Sequence, residues 1–135
     1  NAITFHYEDG RWLKSQLYNT EWPDLTKVLD MGDGSEVKPI PEGFFDEIER
    51  LSPFLDELQH IYFKGNVIAT SREEELGASV EFEGVPESGC FQAKQLLLLN
   101  GIVDKIDFSS YPKPCIFYGG AGATALRGAI IGMNA

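Results

Sequence analysis

Short runs in which apolar and polar residues alternate recur along most of this chain, separated by turn residues, and they constrain its fold more than any other feature. Such runs predict strands that bury one face. Only two longer stretches show helical spacing instead. In chain order the patterns predict a hairpin, a helix, several strands, a second helix and closing strands. This order is typical of an α+β fold with an antiparallel sheet.

The first pattern predicts a β-hairpin. Residues 3–7 alternate, Asp9 and Gly10 form a turn, and a second alternating run ends near Tyr18. Asp-Gly between two alternating runs is among the strongest hairpin signals. A lone hairpin is barely stable in water, so we expect this one to pack on the rest of the chain or on a preceding portion. Because the chain begins with Asn1 rather than an initiator methionine, we expect it to be a fragment.

Two amphipathic helices are predicted in the remainder. The apolar residues of the first repeat every three or four positions, which predicts a helix over residues 41–58. They are Phe44, Ile48, Leu51, Leu55 and Leu58. Pro53 removes a helical hydrogen bond, so we expect this helix to kink or break near Ser52. The second helix is predicted over residues 92–100 and is expected to end near Gly101.

Seven short strand patterns and one connector complete the prediction. The strand patterns cover residues 60–63, 67–71, 79–82, 90–91, 106–108, 115–118 and 125–131. Nearer the start, Pro23 favours a short helical turn, and residues 30–35 form a polar, glycine-rich connector. Connectors of this composition mark domain boundaries. We therefore assign residues 1–30 to one unit and residues 31–135 to the next.

The charge balance is strongly acidic. The 135 residues include 11 lysines and arginines against 21 aspartates and glutamates, a formal net charge of −10 at pH 7. A basic nucleic-acid-binding domain needs a positive surface, so this class is disfavoured. An anionic membrane would repel such a chain. Because neither a membrane-spanning run nor a signal-peptide pattern is present, we expect a cytoplasmic protein without membrane contact.

The residue types that carry chemistry do not form a recognisable catalytic motif. Cys90 and Cys115 lie among apolar residues, which favours two buried reduced thiols, although a disulfide stays open if their strands lie side by side. His6 and His60 are far apart, and no metal-ligand spacing is present. The serines lack a nucleophile motif. We therefore expect no enzymatic activity, no metal and no cofactor.

The glycine-rich stretch at residues 119–124 has two interpretations. It lacks the spacing and the Lys-Ser/Thr pair of a phosphate-binding loop, and it lies between two strand patterns. A hairpin loop is therefore the favoured interpretation. The alternative is a small-molecule-binding or hydrolytic domain that uses this loop.

Three stretches of the chain, in order, resemble the C-terminal part of the bacterial sliding clamp, the DNA polymerase III beta subunit. The first motif is residues 3–29, with Trp22-Pro23-Asp24-Leu25-Thr26-Lys27-Val28-Leu29 at its end; the second is Phe91-Gln92-Ala93-Lys94-Gln95-Leu96-Leu97; the third runs from Lys113 to Met133. The resemblance implies a DNA-clamp domain, an antiparallel sheet with two helices, preceded by the last hairpin of the adjoining domain. It covers essentially the whole chain.

The resemblance also implies a function. The full-length protein would be a head-to-tail ring of identical subunits that encircles duplex DNA and tethers DNA polymerase. Partners would insert a peptide of Gln-Leu-x-Leu-Phe type into an apolar pocket. The pocket positions would be Pro23, Lys27, Val28, Gln92, Gln95, Ile131, Gly132 and Met133. The ring interface would include Phe54 and Leu55, and the DNA-facing cations would be Arg50 and Lys94.

Several positions depart from the family pattern. Gly132 stands where the family usually has proline, and Gln95 where it usually has an aromatic residue. The helix expected to face the DNA carries Asp46, Glu49 and Glu57 against one arginine, Arg50. These departures imply a divergent member, as from a phage or plasmid, and leave open a clamp-fold interaction module that does not encircle DNA. Without the first clamp domain we expect the fragment to be a monomer or a non-native dimer.

Overall fold

The computed structural model describes residues 1–21, 23–31 and 36–134 and confirms an α+β fold. The elements within these ranges are β1 Ala2–His6, β2 Trp12–Gln16, α1 Leu25–Leu29, β3 Lys38–Pro39, α2 Phe44–Leu51, β4 His60–Phe63, β5 Val67–Ala69, β6 Ser79–Glu81, β7 Gly89–Gln92, α3 Ala93–Leu97, β8 Lys105–Ile106, β9 Cys115–Gly119 and β10 Leu126–Ile130. Short 3₁₀ turns cover Ser52–Phe54, Phe108–Ser110 and Gly122–Thr124.

The strands after α1 form two four-stranded antiparallel sheets, ordered β6-β5-β4-β7 and β10-β9-β8-β3. The order from β3 to β6, strand, helix and three strands, repeats from β7 to β10. The first strand of each repeat lies in the sheet of the other, because β3 pairs with β8 and β7 pairs with β4. The expectation of one antiparallel sheet was therefore wrong. Alternation reveals strands but not their distant partners.

Both four-stranded sheets and the helices α2 and α3 share one apolar core. The buried face of α2 contributes Phe44, Ile48 and Leu51. Neighbouring rings in the aromatic cluster of Phe44, Phe63, Phe91 and Phe108 have centroids 5.4 to 5.9 Å apart. The helices α2 and α3 also contact each other. This common core fixes the positions of the two sheets relative to the helix layer.

The first predicted helix is shorter than its apolar stripe. The helix begins after Gly43, which has a left-handed φ of +82°, and ends at Leu51. The expected break near Ser52 is confirmed, since Pro53 lies in the 3₁₀ turn that follows. The stripe beyond the proline does not continue as helix, and Leu58 is 59% exposed rather than buried. Pro53 ends the helix, so Leu58 no longer lies on its buried face, whereas Leu55 still packs against the core.

Two other elements are shorter in the structure than the sequence predicts. The second helix covers five residues rather than residues 92–100, and turns follow it. Phe108, predicted to be in a strand, instead begins a 3₁₀ turn. The carboxylate of Asp107 accepts a hydrogen bond from the Ser109 backbone N–H at 3.0 Å. This side-chain cap competes with strand pairing and ends β8 early.

The predicted N-terminal hairpin is confirmed. Phe5 faces Leu13 and Ile3 faces Ser15 across the antiparallel pair, so all four side chains lie on one face. Gly10 turns the chain with φ +85°. Every residue from 1 to 21 is exposed. The apolar face of the hairpin, which we define as Ile3, Phe5 and Leu13, is thus not buried by any of the described residues.

The predicted helical turn near Pro23 is confirmed, although it begins two residues later. The side chain of Asp24 caps α1 by accepting a hydrogen bond from the Thr26 N–H at 3.1 Å. This helix lies against β10, and Asp30 pairs with Arg127 at 3.5 Å. Trp22 and the connector residues 32–35 fall outside the described residues.

Candidate functional site

The second and third motifs meet at one edge of the fold. β7, which carries Gln92, is the edge strand of its sheet, and β10 is the edge strand of the other sheet. The chain after β10 runs beside β7, where the Met133 N–H donates to the Cys90 carbonyl oxygen at 2.7 Å. Met133 and Gln92, both predicted pocket residues, are thus brought to the same strand edge.

Gly132, which stands where the clamp pattern has proline, lies in a space too small for a side chain. A β carbon on Gly132 would overlap the ring of Tyr111 and lie 3.0 Å from the Cys90 carbonyl oxygen. Real β carbons are rarely this close to a backbone oxygen. Proline carries such a carbon, so it would not fit at this position of the structure.

The first motif lies at the other side of β10. Val28 on α1 is half-buried, whereas Pro23 and Lys27 are exposed. Because α1 lies against β10, the first motif is linked to the strand that leads into the third. The structure therefore places the three motifs around β10 and β7. Ile131, next to Gly132, is 62% exposed.

The predicted pocket residues are not in the linings of four cavities formed by the described residues, which other side chains line. Gln95 is exposed on α3, next to the fully buried Leu96. The sequence did not predict the shape of the surface between these segments.

A second apolar surface lies where α2 and α3 end. We define the helix-end patch as Phe54, Leu58 and Leu98, which are 60%, 59% and 65% exposed. Beside it is a groove of about 540 Å³, and Leu55 lines it. Of the two residues predicted for a ring interface, Phe54 is exposed and Leu55 is half-buried against the core. Neither Leu58 nor Leu98 was predicted for this surface, and Leu58 instead belonged to the predicted apolar stripe of the first helix.

The predicted DNA-facing cations both lie in the helix layer. Arg50 on α2 is exposed and its guanidinium lies 3.1 Å from Glu47. Lys94 is exposed on α3. The acidic residues singled out by the sequence, Asp46, Glu49 and Glu57, are exposed too. This surface therefore carries more negative than positive charge.

A side-chain hydrogen bond that the sequence did not reveal links the segment after α2 to β4. The carboxylate of Asp56 lies 2.6 Å from Nδ1 of His60 and accepts the His60 backbone N–H at 3.0 Å. Burial acts to raise the pKa of Asp56, but the hydrogen bonds and charge of His60 outweigh it and lower the pKa below its usual value. The pair fixes the loop between these elements.

The two cysteines are free and fully buried. Burial raises the pKa of the Cys90 thiol. Burial, followed by the negative charge of Asp107, raises the pKa of Cys115 to about 12. A protonated thiol is a poor nucleophile, so these residues are core groups rather than reactive ones.

The glycine-rich stretch is the loop of the β9–β10 hairpin, as expected. A β carbon on Gly119 would overlap the Ile102 carbonyl oxygen, and Gly120 has φ +68°. Its glycines are therefore explained by close backbone contact and turn geometry. The structure gives no support to a phosphate site here.

No protein-family model matches this chain, and no curated protein matches it either.

Within residues 1–21, 23–31 and 36–134, no helix has the length and apolar character needed to cross a membrane. In the same ranges, histidine, cysteine and acidic side chains do not gather in groups of three or more that could hold a metal ion.

Proposed function

We propose that this chain is the C-terminal part of a sliding-clamp-like processivity factor, which tethers a DNA polymerase to duplex DNA by encircling it and docks partner peptides. The observation that carries the proposal is the meeting of the second and third motifs at the β7 edge through the Met133–Cys90 hydrogen bond. Residues distant in sequence that resemble parts of one pocket are thus neighbours in space. No catalytic role is assigned to any residue.

The architecture supports the same proposal. The order hairpin, helix, strands, helix, strands is the one that the resemblance implies. The exposed apolar face of the hairpin, with Phe5 at its centre, fits an element whose covering partner is the preceding domain. The hairpin is accordingly assigned to that domain and residues 31–135 to the last one.

The helix-end patch supports a role in ring closure. An exposed phenylalanine and two exposed leucines beside a groove are typical of a surface that a second subunit covers. Phe54 and Leu55 are the interface residues that the resemblance implies. Leu58 and Leu98 extend that surface.

Peptide docking is tested by an NMR titration of the isotope-labelled chain with a Gln-Leu-Ser-Leu-Phe peptide. We expect saturable shifts clustered at Val28, Gln92, Gln95 and Met133, because these positions surround the proposed site. A control peptide with alanine in place of both leucines and the phenylalanine should cause no shifts. If the first peptide causes none at millimolar concentration, docking of this peptide class is wrong.

A second candidate function is a clamp-fold interaction module that does not encircle DNA. The acidic helix face favours it, because the surface around Asp46 and Glu49 would repel phosphates. The two candidates differ in how the full-length parent behaves on DNA. Retention on circular DNA that is lost when the DNA is cut supports encirclement, whereas no retention on either form supports the module.

A further inference from the structure

The chain after β10 forms a C-terminal strap, which we define as residues 131–134. The strap crosses from the edge of one sheet to the edge of the other, where β7 lies. One backbone hydrogen bond, from the Met133 N–H to the Cys90 carbonyl oxygen, joins it to that strand at 2.7 Å. Ordering a segment without regular structure costs conformational entropy, so one such bond is a weak attachment.

Tyr111 supplies the rest of the attachment. Its hydroxyl donates a hydrogen bond to the Met133 carbonyl oxygen at 2.8 Å. Its ring covers the position where Gly132 has no side chain. The same ring lies 5.6 Å from the ring of Phe91, a fully buried residue of β7. Tyr111 is therefore anchored in the core through Phe91, and it contacts the strap through its ring and its hydroxyl.

We propose that Tyr111 is a positioning residue of the peptide-docking site, and this inference rests on the proposed function. By holding Gly132 and Met133 against β7, it keeps the third motif beside Gln92 of the second. Tyr111 belongs to neither the second motif nor the third, and sequence reasoning gave it no role. Without its hydroxyl the strap keeps one hydrogen bond and detaches more often, so a partner meets an incomplete surface.

The test compares Tyr111→Phe with Tyr118→Phe. The first variant keeps the ring that packs on Phe91 and removes only the hydroxyl. The second is a matched control, because the hydroxyl of the half-buried Tyr118 makes no hydrogen bond to the residues that the structure describes. Two quantities are measured by NMR: the amide exchange rate of Met133, and the Kd for the Gln-Leu-Ser-Leu-Phe peptide.

In Tyr111→Phe we expect Met133 exchange to accelerate and the peptide Kd to rise, each by about three- to tenfold, the factor that one lost hydrogen bond typically brings. Tyr118→Phe should change neither quantity. Unchanged Met133 exchange in Tyr111→Phe would show that the hydroxyl does not hold the strap, and the inference would be wrong.

The remaining outcomes separate this inference from the proposed function. Faster Met133 exchange with an unchanged Kd would make Tyr111 a purely structural anchor and overturn its role in docking. If the unaltered chain does not bind the peptide at all, the docking function itself is wrong and the role of Tyr111 in it falls too. A lower Kd in Tyr111→Phe would mean that the strap competes with the peptide, which also contradicts the proposal.

Discussion

At position 132, a single added β carbon would change how the strap packs on Tyr111 and β7. Gly132→Ala would place that carbon against the Tyr111 ring and the Cys90 carbonyl oxygen. The strap can relieve the clash by detaching, so the loss is limited to the strap contacts. We expect the free energy of unfolding to fall by about 1–2 kcal/mol, the net worth of its two hydrogen bonds.

Urea denaturation of Gly132→Ala measures this loss, with Asn134→Ala as the control. Asn134 is exposed, and a surface substitution of this kind typically changes stability by less than about 0.5 kcal/mol. A Gly132→Ala protein as stable as the parent would contradict the close packing of Tyr111 on the strap.

The Cys115 thiol should be almost inert in the folded protein. Its pKa of about 12 leaves a thiolate fraction of roughly 10⁻⁴ at pH 8. Because the pKa is raised on folding, the reaction rate in the native state should still rise between pH 9 and pH 12, where the unfolded thiol has already ionised. A disulfide reagent in the Cys90→Ala variant, with and without urea, measures the difference. Equal rates in the two states would show that this thiol is accessible.

At the scale of whole elements, the hairpin should be separable from the rest of the fold. No residue from 1 to 21 is buried, so little apolar area is lost when residues 1–17 are removed. We expect this deletion to change the free energy of unfolding by less than about 1 kcal/mol, whereas Phe44→Ala should cost about 3–5 kcal/mol because it empties the core. Urea denaturation compares the two. A deletion as costly as Phe44→Ala would mean that the hairpin packs on the core.

The elements that the sequence predicted well are those with a local physical signal. Asp9-Gly10 fixed the hairpin turn, and Pro53 set the end of α2 within one or two residues. The errors have a different origin. Leu58 kept the helical spacing after the proline but no longer faced the core, and the strand patterns could not show that β7 pairs with β4 of the other repeat. Long-range pairing depends on the whole core, which no local pattern contains.

For the whole molecule, the resemblance assigns segments distant in sequence to one pocket, and the structure shows which of them are in contact. Met133 and Gln92 do reach the same strand edge. Two residues carried no sequence signal beyond that of an ordinary aromatic or apolar residue. They are Tyr111, which holds the strap at that edge, and Leu98, which extends the helix-end patch. Their roles follow from how the two repeats pack on one core, so they could be found only in three dimensions.

The two exposed apolar surfaces predict how the chain behaves in solution. The resemblance implies that ring closure pairs Phe54 and Leu55 with the first domain of another subunit, a domain that the resemblance does not place in these 135 residues. The apolar face of the hairpin is exposed, and two copies can cover each other there. We therefore expect a monomer that forms a weak, non-native dimer through the hairpin as its concentration rises.

Light scattering over a range of concentrations tests this expectation with two variants. Phe5→Ser combined with Leu13→Ser should abolish the dimer, because these residues face each other across the hairpin. Phe54→Ser combined with Leu98→Ser should leave it intact, because the helix-end patch is not used. The opposite pattern would place self-association at the helix ends, and a ring-sized species would show that the chain closes a ring without the first domain.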